Sequence, residues 1–406
     1  MNRIIVIGGG AAGFMSAIEC GNNLGRKFEI LIVERGKQVL EKVRISGGGR
    51  CNVTNGIKDP KELVKNYPRG ERELLGPFMQ FNCEDTVEWF RKKGVKLKVE
   101  ADGRMFPSTD NSETIVNCLM QQAHIHQIKI MTSTRIDNFY YQNNRWVIEA
   151  NGKRMEANYL ICTPGSSNAV WEILKKMGHT VISPVPSLFT FNIQHPVLQG
   201  LMGVSHPKVE LNCKDLKLKS IGPLLITHWG LSGPAVLKLS AWGARKFNEV
   251  GYQFEIGINW SGLGKINEVE NAILEQKSTT SKQKVTNTPL FELSSRLWTS
   301  ICNYCGIEDD KWADLSKAKI QNLTQNLLDC RMKVKGKSTF KEEFVTAGGV
   351  ALKEINMKTM ESKLFPNLYL AGEIIDIDAI TGGFNFQAAW TGGWLIGKAI
   401  GEKENQ

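Results

Sequence analysis

The sequence predicts an α/β fold whose main domain is interrupted by a long insert. An apolar strand over residues 3–7 runs directly into a glycine-rich turn and a helix of small residues. A second apolar strand over residues 28–33 follows, which is the order of a β-α-β unit with parallel strands. From about residue 344 the pattern of the first unit returns, with a strand over residues 368–373 and an alanine- and glycine-rich helix over residues 386–400.

The turn after the first strand carries glycines in the GxGxxG spacing. Gly8 permits the tight turn, Gly10 lets the backbone approach a pyrophosphate, and Gly13 brings the helix close to the strand. The helix N-terminus then directs its free N–H groups at the phosphates. Glu34 would accept hydrogen bonds from ribose hydroxyls, which favours an adenosine without a 2′-phosphate. The unit predicts a dinucleotide site of the Rossmann type, formed by Gly8, Gly10, Ala12, Gly13, Glu34 and Arg35.

Composition is that of a globular protein without a membrane span. The chain has 406 residues, 42% of them hydrophobic and 23% charged, and no stretch of about eighteen uninterrupted apolar residues. The first strand begins almost at residue 1, so we expect no signal peptide. Nine scattered cysteines are typical of reduced thiols in a cytoplasm, and the lone pair Cys302 and Cys305 is interpreted as buried and structural.

The formal net charge of +10 is compatible with two kinds of anionic partner. It suits RNA, and it equally suits a protein that holds a pyrophosphate. The most basic runs lie at residues 91–98, 214–219 and 331–341, and each is also explained as a solvated face. Charge therefore supports a nucleic-acid substrate without deciding for it.

The remaining elements follow from hydrophobic periodicity. In the first part of the chain we predict helices over residues 84–94, 112–126 and 168–177, and strands over residues 128–132, 134–141, 145–150 and 159–162. From about residue 187, alternating segments such as 208–211 and 216–219 indicate an antiparallel sheet. Helices are predicted over residues 266–276, 290–305 and 316–328, with an exposed polar loop over 277–288. The predicted domains are residues 1–186 with 344–406, and an insert of residues 187–343 with a sheet part (187–260) and a helical part (262–330).

The returning C-terminal segment points to FAD as the dinucleotide. Enzymes that bind only NAD do not need a late strand and helix next to the first unit, whereas FAD enzymes use them to bring a second helix N-terminus to the flavin. A glycine-rich turn precedes the last helix and supplies backbone N–H groups there. The residues assigned to this part of the site are Gly372, Glu373, Asp376, Gly382, Gly383, Phe384 and Asn385.

A glycine-rich polar segment, residues 42–55, follows the predicted ribose-binding acid. Arg44, Ser46 and Arg50 could serve phosphate or flavin oxygens, and the glycines between them permit a close approach. The alternative is a structural basic loop. The cofactor residues assigned here are Lys42, Arg44, Ser46, Gly47, Arg50 and Asn52, together with Thr163 after the strand over residues 159–162.

Three long motifs resemble the BaiN-like family of bacterial NAD(P)/FAD-dependent oxidoreductases, also called aminoacetone oxidase-like flavoproteins. They are KVRISGGGRCNVTN at residues 42–55, GPLLITHWGLSGPAVL at residues 222–237, and residues 346–394. The resemblance implies a glutathione-reductase-like Rossmann FAD domain with an inserted antiparallel β-barrel and helical bundle. Its members are associated with amine oxidation, with reduction of a conjugated C=C bond in steroids, and with reduction of uridine to dihydrouridine in large-subunit ribosomal RNA. One departure from the family is the loop over residues 162–167, which is short and contains a proline.

The chemistry that follows leaves two classes open. No second GxGxxG unit offers a dedicated NADPH domain, so the protein is either a reductase that binds NAD(P)H transiently or an oxidase that passes electrons to oxygen. Reduction of an enone-like bond needs a general acid and a donor for the developing enolate oxygen. His228 could donate the proton, Ser232 could bond a carbonyl, and Trp229 could stack on a planar substrate. Cys51 is an alternative acid. The competing interpretations are a structural histidine, a core tryptophan and a buried, inert cysteine.

We therefore expect an FAD-dependent oxidoreductase that uses NAD(P)H to reduce a polarised C=C bond. A uridine of large-subunit ribosomal RNA is one possible substrate, and the alternative functions are a small-molecule amine oxidase or an enone or steroid reductase. A flavin-dependent sensor is the remaining, non-enzymatic alternative. We expect no metal site, no membrane association and no obligate protein partner, and a cytoplasmic location.

Overall fold

The computed structural model describes residues 2–338 and 345–405. These residues form two compact units, one built from residues 2–185 with 345–405 and the other from residues 186–338. Each unit has its own hydrophobic core. The predicted second end of the insert, between residues 343 and 344, lies outside the described residues.

The strands are numbered in chain order through both units. They are β1 (Arg3–Ile7), β2 (Glu29–Val33), β3 (Thr54–Asn55), β4 (Leu97–Val99), β5 (Arg104–Pro107), β6 (Lys129–Met131), β7 (Ile136–Gln142), β8 (Arg145–Ala150), β9 (Lys153–Ala157), β10 (Tyr159–Cys162), β11 (Val181–Ser187), β12 (Thr190–Ile193), β13 (Ser205–Cys213), β14 (Leu218–Ile226), β15 (Gly230–Ser232), β16 (Gln253–Asn259), β17 (Cys330–Ser338), β18 (Val345–Val350), β19 (Ile355–Asn356), β20 (Glu361–Ser362) and β21 (Leu368–Leu370).

The α-helices are numbered in the same way. They are α1 (Ala11–Leu24), α2 (Glu41–Gly49), α3 (Pro60–Val64), α4 (Leu75–Phe78), α5 (Cys83–Lys92), α6 (Glu113–Ile125), α7 (Asn168–Lys176), α8 (Pro234–Glu249), α9 (Ile266–Thr279), α10 (Ser295–Tyr304), α11 (Lys317–Leu328) and α12 (Phe384–Glu404).

The first unit is organised by a seven-stranded sheet in the order β19-β20-β21-β10-β1-β2-β6. Strands β21, β10, β1, β2 and β6 are parallel, and β1 lies in the middle with Ile4 opposite both Tyr159 and Ile30. A central parallel strand is buried on both faces, which explains why residues 4–7 are apolar without alternation. The carboxyl ends of these strands meet at one edge, where the predicted cofactor turns lie.

Helices α1 and α12 pack closely because glycines recur on one face of α12. A Cβ at Gly393 would lie 2.7 Å from the Ala12 oxygen, and a Cβ at Gly397 would lie 2.3 Å from the Glu19 Cβ. Glycines four residues apart share one side of a helix and let two backbones approach. The alanine- and glycine-rich composition of α12 is thus a packing feature that fixes its N-terminus relative to α1.

Smaller pieces complete the first unit. Strands β3, β5 and β4 form one antiparallel sheet, and β7, β8 and β9 form another. A buried chain of hydrogen bonds ties β20 to the segment before β11, since His179 Nδ1 lies 2.9 Å from Glu354 and His179 Nε2 lies 3.1 Å from Ser362. Burial alone would raise the pKa of Glu354, but hydrogen bonds from Thr180 and His179 outweigh it and lower that pKa.

The second unit contains a closed six-stranded antiparallel barrel in the order β12-β15-β14-β13-β16-β17. Alternate residues point inward, and Phe191, Ile256 and Val334 are among its buried core. Helix α8 packs Phe247 against Phe191 and Phe254, with ring centroids 5.7 and 4.1 Å apart. The predicted α/β fold with an inserted antiparallel barrel is confirmed.

Two predictions within the insert need correction. The barrel extends beyond residues 187–260, because it is closed by β17, which comes after the helices. The segment 331–338 alternates apolar and basic residues as a strand does, but its four cations also fit a solvated basic run, which is how the sequence was interpreted. The loop predicted over residues 277–288 is not exposed throughout. Val285 is fully buried, and its carbonyl accepts a hydrogen bond from Trp298 Nε1 at 2.7 Å.

Candidate functional site

In the turn between β1 and α1, Gly8 and Gly13 are packed against neighbouring atoms, whereas Gly10 faces open space. A Cβ at Gly8, whose φ is +100°, would lie 2.4 Å from the Thr163 oxygen, and a Cβ at Gly13 would lie 2.0 Å from the Gly8 oxygen. By contrast, a Cβ at Gly10 would meet nothing within 4 Å. Gly10 is also the N-cap of α1, and no side chain caps this helix end. The turn thus offers backbone N–H groups to open space, as a pyrophosphate requires.

Glu34 is held at the end of β2 by two backbone N–H groups. One carboxylate oxygen accepts from Gly9 at 2.8 Å and the other from Gly36 at 2.6 Å. Each oxygen of an ionised carboxylate retains a second lone-pair direction, so both could still accept from a ribose hydroxyl. Arg35 is exposed beside it. The geometry is compatible with the predicted ribose-binding role of Glu34.

The predicted flavin loop is a short helical turn followed by left-handed backbone. Helix α2 breaks at Ser46, and the φ angles of Gly47, Gly48 and Gly49 are 58°, 68° and 83°. Three successive left-handed residues are compatible only with glycine at low cost. A Cβ at Gly48 or Gly49 would meet nothing within 4 Å, so this backbone also faces open space. The glycines are therefore required by conformation and leave room for a flat ligand.

Distant segments assigned to the cofactor meet at one place in the first unit. The Lys42 ammonium and the Glu373 carboxylate, 331 residues apart in sequence, form an ion pair at 2.6 Å. A Cβ at Gly372 would lie 3.4 Å from the Ala12 Cβ. Thr163 donates its hydroxyl to the Ile7 carbonyl at 3.0 Å, which holds the β10 loop against the first turn.

The α2 loop also reaches the N-terminus of α12. The Asn52 amide, oriented to satisfy both its ends, donates to Thr54 and accepts from the Gly383 N–H, each at 3.0 Å. Asn55 donates to the Gly382 carbonyl at 3.0 Å. Gly383 is the N-cap of α12, and no side chain caps this helix end either. Two uncapped helix N-termini and an open glycine loop fit an FAD molecule, whose pyrophosphate and reduced flavin are both anionic.

Other predicted residues of the C-terminal segment have structural partners. Asn385 exchanges two hydrogen bonds with the backbone of Ala379, at 2.9 and 3.1 Å, and so shapes the turn before α12. Phe384 is buried against Tyr67 at a centroid distance of 6.2 Å, and Asp376 is buried as well. Only the backbone of Phe384 could therefore serve a ligand.

The two arginines of the α2 loop need correction as candidate phosphate ligands. Arg44 forms an ion pair with Glu113. Arg50 donates to Glu100 at 2.7 Å and lies 3.9 Å over the ring of Phe106. Both guanidinium groups are thus neutralised within the fold, and the alternative interpretation, a structural basic loop, describes them better.

Cys51 is also corrected as a candidate acid. The side chain is fully buried, and burial raises the pKa of its thiol to about 12, although a hydrogen bond from Ser46 acts in the opposite direction. A thiol with so high a pKa is a weak proton donor, and it has no access to solvent for reprotonation. Its φ of 62° shows that it belongs to the left-handed loop and contributes to the shape of that loop.

The remaining candidates lie together in the second unit. His228 and Trp229 form the two-residue tip of the hairpin between β14 and β15, closed by hydrogen bonds between Thr227 and Gly230 at 2.8 and 3.3 Å. The His228 side chain is exposed, its ring centroid lies 4.5 Å from that of Trp229, and Ser232 is half-buried at the end of β15. Trp229 is 52% exposed, so the interpretation as a core residue is wrong.

A buried ion pair escaped the sequence analysis. Arg69 pairs with Asp378 through two nitrogen–oxygen contacts, and their side chains are 9% and 0% exposed. Nearby, the Tyr67 hydroxyl donates to the Phe384 carbonyl at 2.6 Å, and Ile380 N–H donates to Asn66 at 3.0 Å. The segment 66–70 therefore braces the loop that leads into α12. No motif surrounds Arg69, so the sequence carried no signal for it.

Two kinds of feature are absent from the part of the chain that the structure describes. Within residues 2–338 and 345–405, no three His, Cys, Asp or Glu side chains are grouped to hold a metal ion. Among the helices of the same residues, none is long and apolar enough to cross a membrane.

Comparison with known proteins identifies relatives over the full length. Residues 2–399 match the family described as HI0933-like protein Rossmann domain. The ribosomal RNA dihydrouridine synthase of Escherichia coli (strain K12) is 28% identical, over 98% of this chain and 97% of that protein. The 3-dehydro-bile acid delta(4,6)-reductase of Clostridium scindens is 27% identical, over 99% of this chain and 100% of that protein.

Solved structures show the same fold at low identity. The 3-ketosteroid delta1-dehydrogenase of Sterolibacterium denitrificans has a TM-score of 0.51 at 11% identity, with 99% of this chain and 100% of that chain covered. The 3-ketosteroid-delta4-(5alpha)-dehydrogenase of Rhodococcus jostii RHA1 also has a TM-score of 0.51, at 12% identity, covering 98% and 97%. Family, fold and the two uncapped helix N-termini agree on the cofactor. The chain belongs to the HI0933-like family and is an FAD-dependent oxidoreductase.

Proposed function

We propose that this protein uses NAD(P)H to reduce a C=C bond conjugated to a carbonyl, and that its substrate is a uridine of large-subunit ribosomal RNA. The observation that carries the reaction class is the agreement between two relatives of nearly equal similarity. One is named as a dihydrouridine synthase and the other as a delta(4,6)-reductase, and both names describe saturation of such a bond. An RNA substrate would also agree with the cytoplasmic location expected from the sequence.

The cofactor would be held by residues of the first unit. The turn at Gly8 and Gly10 and the start of α1 would take the pyrophosphate, and Glu34 would take the adenosine ribose. The open backbone of Gly48 and Gly49 and the start of α12 would face the flavin. When bound, FAD supplies hydride transfer at N5 of its flavin ring.

The protein's own residues would bind the substrate and move a proton. Reduction of the conjugated bond places hydride on the β-carbon, and the α-carbon of the resulting enolate then takes a proton. His228 would donate this proton, and Ser232 would donate a hydrogen bond to the enolate oxygen. Trp229 would stack on the uracil ring, a role for which its 52% exposed side chain is suited.

The choice of RNA is supported by charge. The net charge of residues 186–338 is +6, although these residues make up well under half of the chain. Phosphate neutralisation by Lys and Arg provides most of the sequence-independent affinity for nucleic acids. A bile acid needs no such surplus, so the charge favours RNA over a steroid as the substrate.

The test is reduction of unmodified ribosomal RNA by the purified holoprotein. Large-subunit RNA transcribed in vitro is incubated with the protein and NADPH or NADH, digested, and analysed by mass spectrometry. We expect one or more uridines to gain two hydrogens in the presence of NAD(P)H, and none without it. Trp229→Ala should reduce this yield at least tenfold while retaining FAD. Flavin reduced by neither nucleotide, or RNA unchanged after flavin turnover, would contradict the proposal.

The second candidate is an enone or steroid reductase. It is supported by the 27% identity to the bile acid reductase over the full length of both chains. Oxidation of NAD(P)H that depends on a 3-keto-4-ene steroid, with no change in RNA, would favour this candidate. Rapid oxygen consumption with an amine and no reduction of the flavin by NAD(P)H would instead favour an amine oxidase.

A further inference from the structure

The outer face of four barrel strands carries a group of basic side chains. Residues such as Leu211, Ile256 and Met332 are buried inside the barrel, so the residues that alternate with them point outward. Cross-strand neighbours place Lys219 opposite Asn212 and Gly257 opposite Arg331. We call this surface, on β14, β13, β16 and β17 with the β13–β14 turn, the basic face. Its cations are Lys219, Arg331, Lys333 and Lys335 on the strands and Lys214 and Lys217 in the turn.

The acidic groups on the strands of this surface are already neutralised. Glu210 pairs with Lys219 at 2.7 Å, and Glu255 pairs with Arg331 at 2.9 Å. Asp329, just before β17, pairs with both Lys214 and Arg331 at 2.9 Å. The acid in the β13–β14 turn, Asp215, is exposed.

Two of the three lysines of β17 are left as uncompensated charge among the described residues. Lys333 and Lys335 are exposed, and within the described residues neither forms an ion pair. Lys333 lies opposite Glu255 and Lys335 lies opposite Gln253. Gln253 carries no charge, and the Glu255 carboxylate is already paired with Arg331. Alternate residues of a strand lie about 6.6–6.8 Å apart on one face, so the two ammonium groups form a short row.

The row ends where the strand changes its geometry. Gly336 has a φ of 130°, and after it Lys337 lies opposite the buried Phe191 instead of continuing outward. Lys337 is placed 4.8 Å from the ring centroid of Tyr252, where burial lowers the pKa of its ammonium group. Among the described lysines of β17, Lys333 and Lys335 are therefore exposed on the basic face, whereas Lys337 packs against Tyr252.

We propose that the basic face binds the sugar–phosphate backbone of the RNA substrate, with Lys333 and Lys335 each contacting a phosphate. The inference rests on the proposed function and assigns the RNA-positioning surface to the insert. Contacts to phosphates orient a nucleic acid without reading its sequence. A membrane surface fits less well, since the residues directly opposite these two lysines are the polar Gln253 and Glu255.

The test compares two pairs of lysines in the full-length protein with bound FAD. Lys333→Gln/Lys335→Gln removes the row, and Lys282→Gln/Lys317→Gln removes equal charge from exposed positions elsewhere in the insert. Binding to a labelled fragment of large-subunit ribosomal RNA is measured between 50 and 300 mM KCl. We expect the first pair to reduce the slope of log affinity against log salt by about 1.4 and the affinity at 0.1 M salt about 20-fold, since each phosphate contributes about 0.7 for single strands.

The outcomes separate this inference from the proposed function. A change in slope for the Lys333/Lys335 variant but not for the control supports the basic face. Equal behaviour of the two variants, in a protein that still reduces uridine, overturns the basic face and leaves the proposed function intact. A wild-type protein that neither binds nor modifies RNA overturns both. Binding to vesicles of phosphatidylserine but not to RNA would assign the face to a membrane and also overturn the inference. The substituted lysines lie in the second unit and the proposed FAD site lies in the first, so far-UV circular dichroism and a thermal unfolding scan of each variant, compared with the wild type, confirm that the insert is folded.

Discussion

The buried ion pair between Arg69 and Asp378 provides the sharpest test of how the cofactor loop is held. The side chains are 9% and 0% exposed, and Asp378 lies in the loop that leads into α12. Arg69→Met keeps most of the side-chain volume but leaves the Asp378 carboxylate without its guanidinium. Because a buried charge that loses its partner retains the full cost of desolvation, we expect the variant to lose about 3–5 kcal/mol of unfolding free energy.

A matched control lies four residues earlier in the chain. Lys65 pairs with Glu62 at 2.6 Å, but these side chains are 61% and 57% exposed. Water and salt screen such a pair, so Lys65→Met should cost less than about 1 kcal/mol. The double variant Arg69→Met/Asp378→Leu removes both buried charges, and it should regain much of the stability that the single variant loses.

The assay is denaturation in urea at pH 7, followed by release of FAD, since this signal reports on the first unit even if the two units unfold separately. Each protein is measured with and without added FAD, because a ligand that binds the native state stabilises it by mass action. The reasoning is refuted if Arg69→Met is no more destabilising than Lys65→Met. It is also refuted if the double variant costs as much as Arg69→Met and Asp378→Leu added together.

Three further predictions follow from single groups. Gly10→Ala should fold normally, since a Cβ there meets nothing within 4 Å, yet it should lose at least tenfold in FAD affinity. Gly76→Ala, where a Cβ has equally open space, should keep its FAD affinity. Equal FAD titrations of the two variants would contradict a pyrophosphate site at Gly10. The lowered pKa of Glu354 means that its stabilising effect is present above about 4.5, the ordinary value, and is lost as pH falls through the lowered value. The difference in unfolding free energy between the wild type and Glu354→Gln should therefore shrink below pH 4.5, and a difference constant from pH 7 to 3 would refute this. In the uridine reduction proposed above, Cys51→Ser should retain kcat within about threefold, because burial holds the thiol pKa near 12. A loss above tenfold would restore Cys51 as the acid.

Local parts of the site were accessible to sequence reasoning because their residues are neighbours in the chain. The strand, the turn at Gly8 and the start of α1 occupy fewer than twenty residues, and their spacing directly encodes a geometry. The same is true of the glycines before α12, although that helix begins at Phe384, two residues before the predicted start. The motif around His228 was recognised in the sequence, but the exposure of Trp229 at the same hairpin tip was not predicted. Short apolar and aromatic runs do not reveal which side of a strand meets solvent.

Charges were the least predictable part. Arg44 and Arg50 stand in a motif that suggests anion binding, yet acids from residues 100 and 113 neutralise them. Arg69 carries no motif and forms the most buried of the ion pairs described. Partners that lie tens or hundreds of residues apart meet only when the chain has folded, and no local pattern records which lysine or arginine will find an acid.

The sequence by itself determined the fold class, the cofactor and the elements that carry its predicted contacts. The first β-α-β unit and the returning strand, glycine turn and helix near the C-terminus are each recognisable from spacing within one short segment. The tertiary structure alone decided how the barrel is closed, since β17 joins strands more than seventy residues earlier in the chain. It also decided that Lys42 meets Glu373 and that Lys333 and Lys335 form no ion pair within residues 2–338 and 345–405. These facts depend on distances through space, and such distances follow from the packing of the whole chain.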